Sequence, residues 1–518
     1  MLDTVAAEKA VRIDSTARPL RPGVARAALA SGAVETVSRV LTIVLSIATA
    51  RALEPREVGL LGLAVIVTGI VSLVAACSET AGVITRGPGS DREHAVVATA
   101  IRGVVAIVLV TATYLCLSLI SHVLAAAEAS ESQLNALIRL LLLLPLIEAA
   151  GNYPRVVLQR RLDLSFMAGL GLVQIVIHVG MSISLLWLGY GAAGVVCSSL
   201  IAASVAVLLF WLRVLVRSSE GALRPHALRS LFGEMLKNNG KVFTGSFIGY
   251  LNGRIDNILV ASAIGPTAMS FYSMSWSASR TPAQILGQAL GFVLVPTIAR
   301  ISDDQERIQR GIAESLRHSY TLLAPVCAML FLGGPAIVLV ILGSKWLPMV
   351  PALRIMSLTV LTAPIIVIST SILVGTGRAH LTGLATLGQL LALGAITMPL
   401  CRAWGITGAA FGDMLATFVS AIALLAASPL MRQAVQRTFL QAVLLPIAAV
   451  VMSGILAVAV SSQLQMDNNS PVELLILAVA YPLFLSILGG KTALWDLLNI
   501  LRTGARQLPV ASNLDSQV

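Results

Sequence analysis

Ionisable side chains interrupt apolar stretches of this sequence at Glu35, Arg39, Glu79, Glu148, His178, Arg254, Asp256, Arg280 and Asp413. At mid-bilayer such a group costs about 2.5–3.5 kcal/mol on insertion scales, so each must face a partner or a water-filled cavity. Glu35 and Arg39 stand four apart, in the order that suits an ion pair along one helix face, and such a pair neutralises itself. Arg254 and Asp256 are two apart and point in different directions, so at least one must find its partner elsewhere. Arg280 lies in Ser279-Arg280-Thr281-Pro282. Two arrangements suit it: a carbonyl freed by Pro282 holds the guanidinium, or its planar fork binds an anion such as phosphate. His178 reads as a satisfied buried histidine, and Glu79, Glu148 and Asp413 as helix-end or bundle-facing carboxylates. Cysteines are widely scattered, with no CxxC pair, so neither a disulfide framework nor a metal site is expected.

These residues need membrane helices to position them. The chain is 57% hydrophobic and 12% charged, about half the charged share of a soluble domain. Too few charges remain to coat a water-facing surface, which excludes a soluble enzyme with one anchor. The apolar runs are continuous instead of alternating, which argues against an outer-membrane barrel. Runs at 31–50, 58–80, 97–127, 137–154, 166–187, 192–212, 242–262, 270–298, 319–342, 352–376, 381–401, 406–428, 439–460 and 472–489 predict about 14 transmembrane helices in an all-α polytopic membrane fold. The connecting turns fall into two alternating sets. One set, which includes both termini, holds 26 Lys and Arg, and the other holds 4. The positive-inside rule places the first set, and both ends of the chain, in the cytoplasm. The net charge of +11 then reflects orientation in a membrane and not a nucleic-acid partner.

An internal repeat organises the helices. Ala50-Arg51-Ala52-Leu53-Glu54-Pro55 returns as Ala261-Ser262-Ala263-Ile264-Gly265-Pro266, and Gly191-Ala192-Ala193-Gly194 returns as Gly408-Ala409-Ala410-Phe411-Gly412. Both offsets span six helices, an even number, which gives a parallel repeat about an axis along the membrane normal. The expected organisation is a cytoplasmic tail at 1–30, a six-helix lobe at 31–212, a connector at 213–241, a second six-helix lobe at 242–428, a C-terminal helix pair at 429–490 and a cytoplasmic tail at 491–518. In the connector Leu228, Leu231, Phe232, Met235 and Leu236 fall at helical spacing after Pro225, which predicts an amphipathic helix lying on anionic lipid. Gly189-Tyr190-Gly191-Ala192-Ala193-Gly194 fits a dinucleotide-binding pattern formally, but no strand precedes it. No Walker A, HExxH or GxSxG pattern is present, so neither an ATPase, a cofactor nor enzyme chemistry is expected.

Arg254-Ile255-Asp256-Asn257-Ile258-Leu259-Val260, then Ile264-Gly265-Pro266 and Phe271-Tyr272-Ser273-Met274, resembles the N-x-D…(L/I)-G…Y stretch of polysaccharide-export flippases. These belong to the multidrug/oligosaccharidyl-lipid/polysaccharide exporter superfamily. Val295-Pro296, Leu342-Gly343-Ser344-Lys345-Trp346, Gly375-Thr376-Gly377-Arg378 and the turn Leu158-Gln159-Arg160-Arg161-Leu162-Asp163-Leu164-Ser165-Phe166 add to the resemblance, which covers roughly 31–430. It implies two six-helix lobes rocking around a central cavity in a bacterial inner membrane. It also implies transfer of an undecaprenyl-pyrophosphate-linked oligosaccharide to the periplasmic leaflet, for exopolysaccharide or lipopolysaccharide synthesis. A polysaccharide polymerase and a chain-length regulator would be partners. On that resemblance Arg39, Arg254 and Arg280 are the cavity cations for pyrophosphate, and Glu35 and Asp256 are orienting or ion-coupling carboxylates. Two other readings stay open: a drug or metabolite cation antiporter of the same superfamily, and a membrane glycan polymerase or ligase. Short outer loops and the internal repeat weigh against the enzyme.

Overall fold

The computed structural model describes residues 22–85, 90–125, 131–215, 224–300, 304–463 and 474–488. Most of the expected N-terminal tail, the stretch 216–223 of the connector and the tail 491–518 lie outside the described residues. Helices follow the apolar runs, and proline and cap residues set their starts. Pro55, Pro225 and Pro266 each open a helix, where a missing N–H leaves nothing unsatisfied. Ser90 caps another by accepting from the Glu93 N–H, while the Glu93 carboxylate accepts from the Ser90 N–H at 2.8 Å.

In chain order the first half holds α1 (Pro22–Ala52), α2 (Pro55–Ile84), α3 (Asp91–Leu115), α4 (Leu117–Ala125), α5 (Glu131–Leu141), α6 (Leu143–Ala150), α7 (Asn152–Arg160), α8 (Leu164–Trp187) and α9 (Gly191–Leu215). The second half holds α10 (Pro225–Asn252), α11 (Ile255–Ile264), α12 (Pro266–Arg300), α13 (Gln305–Leu332), α14 (Gly334–Ile341), α15 (Val350–Ser357), α16 (Ala363–Gly375), α17 (Ala379–Ala427), α18 (Pro429–Thr438) and α19 (Leu445–Gln463). A last apolar helix, α20, covers Leu474–Leu488. No strand occurs among the described residues.

The described part of every expected span is helical, but the number of crossings differs from the expectation of about 14. Among the described residues seven helices are long and apolar enough to cross a membrane, or eight if the bent pair α13–α14 is one span. Two expected spans are merged in the 49-residue α17, which kinks at Trp404 and Gly405. Another is broken at Gly253–Arg254 into α10 and α11, which leaves a short apolar piece of ten residues. Gly, Pro and Arg breaks shorten helices here, so a length criterion and an apolar-run criterion count differently.

In the connector α10 runs unbroken from Pro225 past 241 into the apolar segment. Leu231 and Met235, both fully buried, do not face lipid. They pack on Val97, Ile101, Val156 and Phe210 of the first half. Leu228 packs on the same cluster, whereas Phe232 and Leu236 stay exposed.

Backbone geometry repeats between the halves. At the α7–α8 turn Leu162 has φ 57°, with hydrogen bonds from the Leu162 N–H to the Gln159 carbonyl and from the Asp163 N–H to the Leu158 carbonyl. At the α16–α17 turn Gly377 has φ 76°, and the N–H groups of Gly377 and Arg378 bond the carbonyls of Val374 and Leu373. This is the same helix stop, and the two positions lie 215 apart, inside the range of the sequence repeat. A left-handed conformation costs a non-glycine residue about 1–2 kcal/mol. Leu162→Gly relieves that strain and adds unfolded-state freedom worth about 0.5–1 kcal/mol. The variant is therefore expected to melt at or slightly above the native temperature in detergent, and a lower melting temperature would mean that the exposed leucine side chain has a role of its own.

The two halves meet at the end of the bundle that carries the α1–α2 and α11–α12 turns. There a Cβ on Gly59 would lie 2.0 Å from the Pro266 carbonyl oxygen, so only glycine permits the approach. Between the halves α2 packs on α10 and α12, while α1 packs on α8.

Candidate functional site

Arg280 and Arg39 face one cavity. It measures about 500 Å³ and lies between α1 of the first half and α12, α16 and α17 of the second, with Gln284, Gln288, Thr362 and Thr417 among its polar walls. Arg39 is 13 residues from the end of α1 and Arg280 is 14 from the start of α12, so both sit about 20 Å from the touching turns at 1.5 Å per residue. A 30 Å hydrocarbon core puts that depth past its middle.

Arg280 is not held by a carbonyl freed by Pro282. Its Nη2 donates to both Asp413 carboxylate oxygens, at 2.8 and 2.9 Å, and to the Thr417 hydroxyl at 2.9 Å. The guanidinium also lies 4.9 Å from the Trp276 ring centroid. Among the described residues neither Nη1 nor Nε of Arg280 has a hydrogen-bond partner. One edge of the fork is thus fixed by Asp413, and another is left to donate into the cavity.

Arg254 and Asp256 diverge, as their spacing requires. Arg254 is exposed at the α10–α11 break and is not in the wall of the Arg39–Arg280 cavity. Asp256 is buried. It accepts from the Tyr272 hydroxyl at 2.9 Å and from the Asn257 N–H at 2.8 Å, which ties α11 to α12 behind Arg280. Asp256 and Asp413 both act electrostatically on Arg280. The side chain of Glu35 lies outside the described residues.

In the first half the carboxylates have a partner that the apolar-run reading missed. Arg102, 1% exposed, donates to Glu79, to Asn152 Oδ1 at 3.1 Å and to Glu148 at 3.2 Å. Gln159 adds a bond to the other Glu79 oxygen at 2.9 Å. The network joins α2, α3, α6 and α7. A signal existed, since Arg102 stands inside the run at 97–127 like the other candidates. His178 bonds Ser198 at 3.1 Å, which makes it a satisfied histidine between α8 and α9.

Two motifs from the sequence have mechanical roles. In the turn at 158–166, Arg160 donates to Asp91 at 2.8 Å and to the carbonyls of Gly82, Val83 and Thr85, closing the exposed end of α2. In Leu342-Gly343-Ser344-Lys345-Trp346, the Lys345 ammonium donates to the carbonyls of Arg51 and Leu53 at 3.0 and 2.6 Å, and the Trp346 indole donates to that of Ala50 at 2.8 Å. Arg51 reciprocates with the carbonyls of Val340 and Ile341 at the end of α14. The halves are latched where their turns touch.

The profile of a family described as "Polysaccharide biosynthesis protein" matches residues 48–351. Teichuronic acid biosynthesis protein TuaB of Bacillus subtilis is 21% identical over 264 residues, 51% of this chain and 54% of that protein. Lipopolysaccharide biosynthesis protein WzxC of Escherichia coli is 24% identical over 111 residues, 21% of this chain and 23% of that protein. The chain thus spans about half the length of the curated relatives it matches, or less. Among solved structures, the lipid II flippase MurJ in an inward closed conformation superposes with TM-score 0.69 at 15% identity, covering 88% of this chain and 98% of that one. An inward-facing multidrug resistance MATE family transporter of the MOP superfamily gives TM-score 0.53 at 16% identity, covering 77% and 94%. The fold is therefore one shared with MurJ and with a MATE family transporter of the MOP superfamily. Since the profile match takes in more than half of the residues, this chain belongs to the polysaccharide biosynthesis protein family.

Proposed function

We propose that the chain is a flippase that carries an undecaprenyl-pyrophosphate-linked oligosaccharide from the cytoplasmic to the periplasmic leaflet of a bacterial inner membrane. The observation that carries the proposal is the cavity shared by Arg39 and Arg280, which offers cations to a diphosphate at a depth where lipid offers none. The set of turns with 4 Lys and Arg in all, including 51–57 and 343–351, then faces the periplasm, and the termini, tails and connector face the cytoplasm. The two lobes act as rigid bodies at 31–212 and 242–428, followed by the helix pair. Asp256 positions Tyr272 behind the cavity and serves as the orienting carboxylate. A polymerase and a chain-length regulator would take the product on the far side.

Alternating access draws support from the latch. Arg51, Lys345 and Trp346 bond the lobes at the periplasmic end, so the Arg39–Arg280 cavity is screened from that side. Opening outward must break these bonds. Arg51→Ala combined with Lys345→Ala is expected to raise labelling of an introduced Gln284→Cys by an impermeant maleimide added from outside, in a chain stripped of its native cysteines. Unchanged labelling would remove the latch from the mechanism.

The inside-negative potential favours outward movement of an anion by about 2.3 kcal/mol per charge per 100 mV. Transport is therefore expected to need no ATP and to accelerate when a potential is imposed across vesicles. The proposal itself is tested in cells depleted of the chain. The lipid-linked repeat unit should accumulate where a membrane-impermeant sugar label does not reach it. Accumulation on the periplasmic face, or none at all, would contradict the flippase.

A further inference from the structure

The cytoplasmic end of the second half carries a cleft that transport does not use. It lies between the N-terminal part of α13 and the C-terminal half of α18, measures about 210 Å³, and is lined by Glu306, Gln309, Arg310, Ala313, Ala434 and Arg437. Small side chains at Ala313 and Ala434 leave room between the helices, and charged groups ring the space. A hydrogen-bond chain fixes one of them: Arg437 Nη1 donates to Gln309 Oε1 at 2.8 Å, and Gln309 Nε2 donates to Gln433 Oε1 at 2.7 Å. The Arg310 side chain has no hydrogen bond or ion pair with another described residue, and neither has that of Glu306 one turn before it, although the two stand four apart. A pair placed for a helical salt bridge is left unmade, beside a second arginine held in position.

Two cations and one anion around a small cleft match a ligand bearing a phosphate and an ammonium. Apolar surface continues from the same place. Directly after α18 the backbone forms a π-helical turn over Phe439–Leu444, a rare geometry that is frequent at functional sites. Leu440 in that turn is 70% exposed and Leu444 is 45% exposed, on the side that leads into the apolar α19. Charged groups at the headgroup level with leucines beneath them fit a lipid and not a free solute.

We infer that this cleft holds the headgroup of an aminophospholipid of the cytoplasmic leaflet, phosphate on Arg310 and Arg437, primary ammonium on Glu306, acyl chains along Leu440 and Leu444. A basic cleft between membrane helices on the cytoplasmic side is a recurrent site for phosphate headgroups, and Glu306 adds the selection for an amine. The site rests on the orientation proposed above but not on the flippase reading, since neither arginine touches the transport cavity.

Native mass spectrometry of the full chain released from detergent, titrated with phosphatidylethanolamine, phosphatidylglycerol or phosphatidylcholine of matched chains, tests the assignment. Retention of phosphatidylethanolamine over the other two is expected. Arg310→Gln with Arg437→Gln should weaken it by about fivefold per arginine, while Glu306→Gln should abolish the preference over phosphatidylglycerol and leave the phosphate contact. Thermal melts of the variants check that each is folded. Equal retention of all three lipids, unchanged retention in the double arginine variant, or a preference that survives Glu306→Gln would each overturn the site. Release of bound lipid by millimolar inorganic phosphate would overturn the lipid and assign the cleft to a soluble anion.

Discussion

Replacing Arg102 with methionine is expected to cost the fold about 3 kcal/mol, because it takes the cation from partly buried Glu148 and leaves Glu79 only Gln159 and Arg155, the latter 3.9 Å away. A membrane domain with a margin of about 5–15 kcal/mol loses much of it in that single step. Arg102 also joins helices that are far apart in sequence, so the first lobe loosens as a unit. The variant should yield little monodisperse protein on detergent size-exclusion chromatography. Adding Glu79→Gln and Glu148→Gln removes the stranded charges, and the triple variant should recover most of the yield. If Arg102→Met alone matched the native chain in yield and melting temperature, the network would not be what holds these helices together.

The second large effect concerns transport. Arg280 presents one fork edge to Asp413 and another to the cavity, so a diphosphate entering beside Arg39 meets a donor already oriented. A charge-assisted hydrogen bond is worth about 1.5–3 kcal/mol, so removing it should lower transport by roughly tenfold to a hundredfold. Arg280→Ala leaves Asp413 buried and uncompensated, hence the informative variant pairs Arg280→Ala with Asp413→Asn. That double variant should fold and show this roughly tenfold to hundredfold loss of rate. Arg280→Lys should keep the ion pair with Asp413 and lose the second edge of the fork, with an intermediate rate. Arg254→Ala, whose side chain stands outside this cavity, should transport within a few-fold of native. Native rates in the Arg280→Ala, Asp413→Asn chain would place the anion site elsewhere.

Much of the architecture was legible from apolar runs and from one repeated motif. Pro55 and Pro266 open equivalent helices, and Leu162 and Gly377 occupy equivalent left-handed turns, so the duplication visible in composition is also one of backbone geometry. What the runs do not carry is partnership. Asp413 stands 133 positions from Arg280, and no local rule joins them. The long apolar run at 97–127 absorbs the charge of Arg102 without ending, whereas Glu79 and Glu148 stand near run ends. Amphipathic spacing in the connector does not say which apolar residues meet protein: Leu231 and Met235 are buried while Phe232 and Leu236 are exposed, and lipid and protein are equally apolar partners. The kink at Trp404–Gly405 and the break at Gly253–Arg254 shift the count of crossings, because continuity of a helix depends on tertiary contacts.

The central claim is that this chain transfers a diphosphate-linked oligosaccharide between leaflets through the Arg39–Arg280 cavity. Its most direct test is translocation of fluorescent undecaprenyl-pyrophosphate-linked oligosaccharide in proteoliposomes, read by an impermeant quencher. The native chain should move the label, and the Arg280→Ala, Asp413→Asn chain at equal incorporation should move it roughly tenfold to a hundredfold more slowly. Native liposomes indistinguishable from empty ones, across several lipid-linked sugars, would contradict the account.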